Sequence, residues 1–178
     1  MVTISSRRPR LGLLTLVALC AQLGLLAWEH VNGGVRAHHL LANPALPAVS
    51  NWWGLVLIPA LTWWTLPRVQ RRGDAAAAAG RAVRPAPLAG FLCALAYGAT
   101  LAALFAANSA LVDYVFFGLL ALLVRLWHAE YLLGFVLAMS LVAGPILPAM
   151  FGAVIALLSW LLHTAARALW RTLRPGPA

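Results

Sequence analysis

One short stretch of this chain carries Glu29, His30, His38 and His39. Neutral imidazole is a good ligand for zinc and copper, so His30, His38 and His39 are candidate metal ligands. Glu29 would then serve as a ligand or a general base, with Ser50 or a metal-bound water as nucleophile. The spacing is not HExxH: Glu29 precedes His30, and the next histidine is eight positions on. Adjacent His38 and His39 cannot share one face of a helix, although they can converge from a loop. Asn32, Arg36, Asn51 and Trp52 lie in or beside the same stretch. Together with Asn108 they form a candidate set for holding a small polar ligand. Asp113 is the third catalytic candidate, after Glu29 and Ser50. Ionisable groups near or within a membrane are costly and often functional, but an acid in the first turn of a helix also simply suits its dipole. The plainer alternative for the whole stretch is an interfacial loop whose histidines bond headgroups, water or backbone.

Some chemistry is excluded outright. All thirteen basic residues are arginine. Without lysine there is no Schiff base, which removes retinal and PLP as cofactors, and there is no P-loop lysine. Cys20 and Cys93 stand apart in apolar runs and form no CxxC pair, so they read as small buried apolar side chains.

The elements that position these residues must be membrane helices. Of 178 residues, 63% are hydrophobic and 10% charged, against about 45–50% and about 25% in soluble domains. A chain of this size cannot hide that much apolar surface from water, so lipid is its main solvent and the bilayer its first partner. The formal charge of +9 does not point to nucleic acid, because the arginines sit at the ends of apolar runs, as the positive-inside rule requires.

The apolar runs predict helices at approximately 11–28, 51–66, 88–107, 111–127, 131–147 and 148–166. The first follows Arg7, Arg8 and Arg10 and lacks a small-x-small cleavage site, so it reads as a retained helix. Ser50 or Asn51 caps the second, Trp52, Trp53, Trp63 and Trp64 flank it at both interfaces, and Pro67 ends it. Gly33-Gly34 and Asn43-Pro44 are turn signals, with a short helical turn expected around 37–41. The stretch from Glu29 to Val49 is too short to cross and too apolar for a free loop. It reads as an interfacial or re-entrant outer segment.

Residues 131–166 as one straight helix would reach about 54 Å, against a hydrocarbon core of about 30 Å. Gly144-Pro145 and Pro148 break that length into two helices. Six helices then place the N-terminus, the arginine-rich linker 68–84, Arg125 and the C-terminal tail on the cytoplasmic side. The expected fold is therefore all-α: a polytopic bundle of about six transmembrane helices, one domain, both termini cytoplasmic, in a bacterial inner membrane. Glu29, Asn51 and Asp113 fall on the outer side. His128, Glu130 and His163 fall on the inner side, with Ser159, His163 and Arg167 sharing one helix face. Dense glycine and alanine in helices three and six allow close helix approach, and a homo-oligomer or a partner membrane subunit would fit.

Three functions suit this plan. The first is binding or transport of a small polar molecule or metal ion at the outer face. In plan alone (six helices, this length, a long first outer loop) the chain resembles the substrate-binding subunits of vitamin and metal importers, with no motif matched residue by residue. The second is a zinc-type intramembrane hydrolase acting on a lipid-like substrate. The third is a structural or assembly subunit without a pocket.

Overall fold

Long apolar runs with well-placed breakers give long helices here. A computed structural model of the chain describes residues 7–39, 45–82, 86–107, 109, 111 and 127–173. Five helices are described: α1 Arg7–Val31, α2 Gly54–Ala78, α3 Pro87–Ala106, α4 Ala129–Ala143 and α5 Ile146–Leu173. Two short strands, β1 Ala37–His39 and β2 Ala48–Ser50, lie between α1 and α2, and a single 3-10 turn, Asn51–Trp53, leads into α2. The helices expected at 111–127, with Asp113 and Arg125, and the residue Asn108 lie outside the described residues, apart from Leu111 and Trp127.

Gly12–Val31, Pro87–Ala106 and Ile146–Thr172 are long and apolar enough to cross a membrane, and Ala129–Ala143 is a shorter apolar helix. Leucines and tryptophans of α1 and α5 are largely exposed, among them Leu13, Leu16, Trp28, Leu157, Trp160 and Trp170. Water would not tolerate so large an apolar surface, whereas lipid does.

Two expectations are corrected. The helical turn expected at 37–41 is instead an antiparallel hairpin, pairing Ala37 with Ser50, His38 with Val49 and His39 with Ala48. Gly33 and Gly34 (φ +112° and +105°) break α1 into an extended backbone that the helix cannot continue. Pro67 does not end α2, which runs on to Ala78. Proline removes only one backbone donor, and the following residues include three arginines, a glutamine and an alanine run, good helix formers. Side chains also hold the extension: Arg72 pairs with Glu130, and Arg68 donates to the Trp64 carbonyl at 2.8 Å while stacking on its ring. The break at Gly144-Pro145 is where the length argument puts it, and Pro148 sits in the first turn of α5, where no N–H is needed.

The tightest packing joins α3 and α4. Gly90, Ala94, Gly98 and Ala102 recur every four residues and are buried along one stripe of α3. A Cβ on Gly134 would stand 2.5 Å from the Phe91 carbonyl oxygen, and one on Gly98 would stand 2.9 Å from Ala138 Cβ. The backbones therefore touch through small residues, as membrane helices do when no hydrophobic drive separates helix from lipid. Leu101, Phe135 and Met139 fill the rest of this core, with Tyr97 and Tyr131 at its margin. Gly90 faces Tyr131 and Gly98 faces Ala138, so α3 and α4 run parallel. Helix α2 runs antiparallel to α4: Thr65 meets Ala129 at one end, and Asn51 meets Gly144 at the other.

Candidate functional site

The end of the bundle that holds Glu29, Asn51 and Gly144 also holds the hairpin. Glu29 lies in the last turns of α1 and is only 2% exposed. Its Oε1 accepts a 2.7 Å bond from Asn51 Nδ2, and its Oε2 accepts a longer one, 3.3 Å, from the Arg36 backbone N–H. Asn51 is 1% exposed, and its own N–H donates to the Arg36 carbonyl at 2.9 Å. Arg36, at the root of the hairpin, thus bonds both residues through its backbone. Its guanidinium lies away over the Trp28 ring, 5.9 Å from the centroid. Glu29 is held by neutral donors only among the described residues.

Because Asn51 Nδ2 must donate to the carboxylate, Oδ1 has to face the other way. There it is buried and has no hydrogen-bond partner among the described residues. The His38 Nε2 is buried and likewise has no partner among them. Both groups converge on Gly144: a Cβ there would be 2.2 Å from Asn51 Oδ1 and 3.2 Å from His38 Cδ2. Gly144 has φ +67° and ψ 169°, a conformation essentially restricted to glycine. One turn deeper along α2, the Gln22 amide lies against Gly54 and Pro145, 4% exposed, with its Nε2 also unpartnered. Native proteins leave few buried polar atoms unpaired, and each such atom costs about 1–3 kcal/mol. Here three gather in two adjacent layers. His38, Ser50, Asn51, Gly144, Pro145 and Ile146 line a crevice at this point, too narrow in this state for a water molecule.

Burial lowers the His38 pKa, the nearby Glu29 carboxylate opposes that shift, and Arg36 adds to it. The imidazole is therefore biased towards its neutral form, with one ring nitrogen free to accept.

The remaining expected residues separate. His30 is exposed on α1, and His39 is exposed on β1 with its Nδ1 2.8 Å from the Leu46 carbonyl. Strand alternation turns His38 and His39 to opposite faces of the hairpin. Among the described residues no group of three or more His, Cys, Asp or Glu is placed to hold a metal ion. Asn32 closes the end of α1 through a 2.8 Å bond from Nδ2 to the Trp28 carbonyl. Ser50 Oγ accepts the Trp52 N–H at 3.4 Å, a capping role, and Trp52 is exposed. The structure thus brings together Glu29, the Arg36 backbone, His38 and Asn51. Gln22, Gly54 and Gly144 complete the cluster and were not foreseen. Gln22 could have been: it is the only amide in an apolar run, two helical turns before Glu29 on the same face.

The opposite end holds a second buried acid. Glu130 is buried and paired with Arg72, and Thr65 Oγ1 donates to the Ala129 carbonyl at 3.4 Å. Beside them the Trp127 ring meets His163 edge-on at 4.6 Å, with Arg167 5.8 Å from the Trp127 centroid. The face of Ser159, His163 and Arg167 does therefore reach the α4 start, through Trp127. Charge is compensated at this end and not at the other.

No protein-family model, no curated protein and no solved structure matches this chain.

Proposed function

We propose that the protein is a six-span membrane protein, with both termini cytoplasmic, that binds or carries a small polar molecule at its outer face. The observation that carries the site is the buried Glu29–Asn51 pair, which lacks a cation among the described residues and borders three unpartnered polar atoms. A group designed only to clamp α1 to α2 would satisfy its own atoms. These atoms are left for something else.

The topology draws support from helix direction. Parallel α3 and α4 place Ala106 and Ala129 at opposite ends of the bundle, which agrees with one further pass between them, the fourth of six. Arg68, Arg71 and Arg72 of α2 and Arg167 and Arg171 of α5 then share the end opposite Glu29, as positive-inside orientation demands.

Reporter fusions test the topology. Fusions after Ala178 and within 75–79 are expected to read cytoplasmic, and one at Gly33 to read as external. A periplasmic reading after Ala178 refutes six spans. The site is tested by screening small polar compounds for thermal stabilisation of the detergent-purified protein. A stabilising compound whose effect disappears in Asn51→Leu supports the reading. A folded protein that no polar compound stabilises favours an assembly subunit instead.

A further inference from the structure

We propose that the group recognised in this crevice is a primary ammonium, held by Asn51 Oδ1 and His38 Nε2 and attracted by the Glu29 carboxylate behind Asn51. This rests on the polar-ligand reading above and names its ligand class. An –NH₃⁺ group carries one positive charge and three N–H donors. The crevice supplies the complement. Behind Asn51, Glu29 brings a buried carboxylate that, among the described residues, is bonded only to neutral donors, so a cation entering the crevice is attracted in a poorly screened place. Asn51 Oδ1 is an acceptor whose orientation is enforced by its own Nδ2 bond to Glu29, and it has no partner among the described residues. His38 Nε2, without a partner among the described residues, is a second acceptor in the tautomer that carries its proton on Nδ1, on a ring that burial biases towards the neutral form. A protonated imidazole would repel the ligand, so the bias to the neutral form matters.

Competing occupants fit less well. A transition metal would need further ligating side chains, and among the described residues no three of them group together. An anion would face Glu29. A neutral amide or alcohol would satisfy the acceptors but leave the carboxylate uncompensated. Arg36 is the internal cation closest in sequence, and its guanidinium is drawn over Trp28. Gly144 makes the recognition point approachable: any Cβ would occupy the place where Asn51 Oδ1 and the His38 ring converge. Since the crevice is closed in this state, entry requires β1 to lift from the Gly144 turn.

A primary ammonium reaches an outer membrane face either as a free amine or as the headgroup of a phosphatidylethanolamine. The experiment separates the two. The full chain in detergent is titrated with methylammonium, tetramethylammonium and acetamide while its melting temperature is followed. It is also placed in bilayers of phosphatidylethanolamine or phosphatidylcholine and melted. Methylammonium is expected to stabilise it, whereas tetramethylammonium, which has no N–H, and acetamide, which has no charge, are not. His38→Ala is expected to weaken methylammonium affinity about tenfold and Glu29→Gln to abolish binding, with helical circular dichroism retained in both. Stabilisation by the phosphatidylethanolamine bilayer alone, lost in Glu29→Gln, assigns the same site to the lipid headgroup. Equal stabilisation by acetamide, or methylammonium binding that survives Glu29→Gln, overturns the ammonium class and leaves a polar site. Stabilisation by none of the probes, in detergent or in either bilayer, overturns both.

Discussion

Replacing Gly144 by alanine probes the Glu29–Asn51 cluster without substituting any of its polar groups. Two costs add. The backbone at φ +67° and ψ 169° is a region that alanine pays about 1–3 kcal/mol to occupy. The new Cβ would also stand 2.2 Å from Asn51 Oδ1, so the Asn51 side chain has to swing away. That movement takes Nδ2 off Glu29 and forfeits a bond to a charged acceptor, about 1.5–3 kcal/mol. The total is roughly 2.5–6 kcal/mol. At about 2–4 °C per kcal/mol for a chain of this size, the melting temperature should fall by about 5–24 °C. The clash term requires the Asn51 side chain, so Gly144→Ala in an Asn51→Ala background should cost only the backbone part. The double-mutant cycle therefore predicts a coupling of about 1.5–3 kcal/mol between positions 144 and 51, read by thermal melting of all four proteins in one detergent. A Gly144→Ala protein melting within a degree or two of wild type would refute the backbone geometry. An unchanged cost in the Asn51→Ala background would refute the contact while leaving the backbone term intact.

Three further outcomes follow from the same structure. His38 has a lowered folded-state pKa, so the unfolded chain binds its proton first as the pH drops; the stability it contributes is complete above the ordinary value of 6.5 and is lost as the pH falls from there towards the folded value. Melting between pH 8 and pH 5 should show this loss, and His38→Gln should flatten it. At the opposite end, Arg72→Met leaves the buried Glu130 carboxylate without this partner and should cost more, about 2–4 kcal/mol, than Glu130→Gln, which leaves an arginine whose side chain is 26% exposed to Glu130's 5%; equal losses in thermal melts would contradict the asymmetry. Gly134→Val should separate α3 from α4, because even a Cβ comes within 2.5 Å of the Phe91 carbonyl, and the protein should appear as aggregate rather than a single peak in detergent size exclusion.

The helices were legible because lipid simplifies the rule. A span must be long and apolar, and Gly144-Pro145 had to break a run too long for the bilayer. The continuation of α2 past Pro67 was not legible, because what holds it there is tertiary: Arg72 finds Glu130 on a helix more than fifty residues away in sequence. The hairpin was missed for a related reason. Ala37–His39 and Ala48–Ser50 are three-residue strands with no alternating pattern of their own, and pairing across the turn decides their conformation. The same principle divides the candidate site. Glu29, His38, Arg36 and Asn51 were singled out by residue type, but type could not separate the histidine beneath the hairpin from the one on its outer face. Strand alternation did that, and it also removed the three-histidine metal centre. What no sequence pattern supplies is the contrast between the two buried acids. Glu130 has an arginine beside it and Glu29 has an asparagine, so among the described residues the charge is answered at one end of the bundle and not at the other. A buried carboxylate held by neutral donors alone is costly, and the proposed ammonium would relieve that cost.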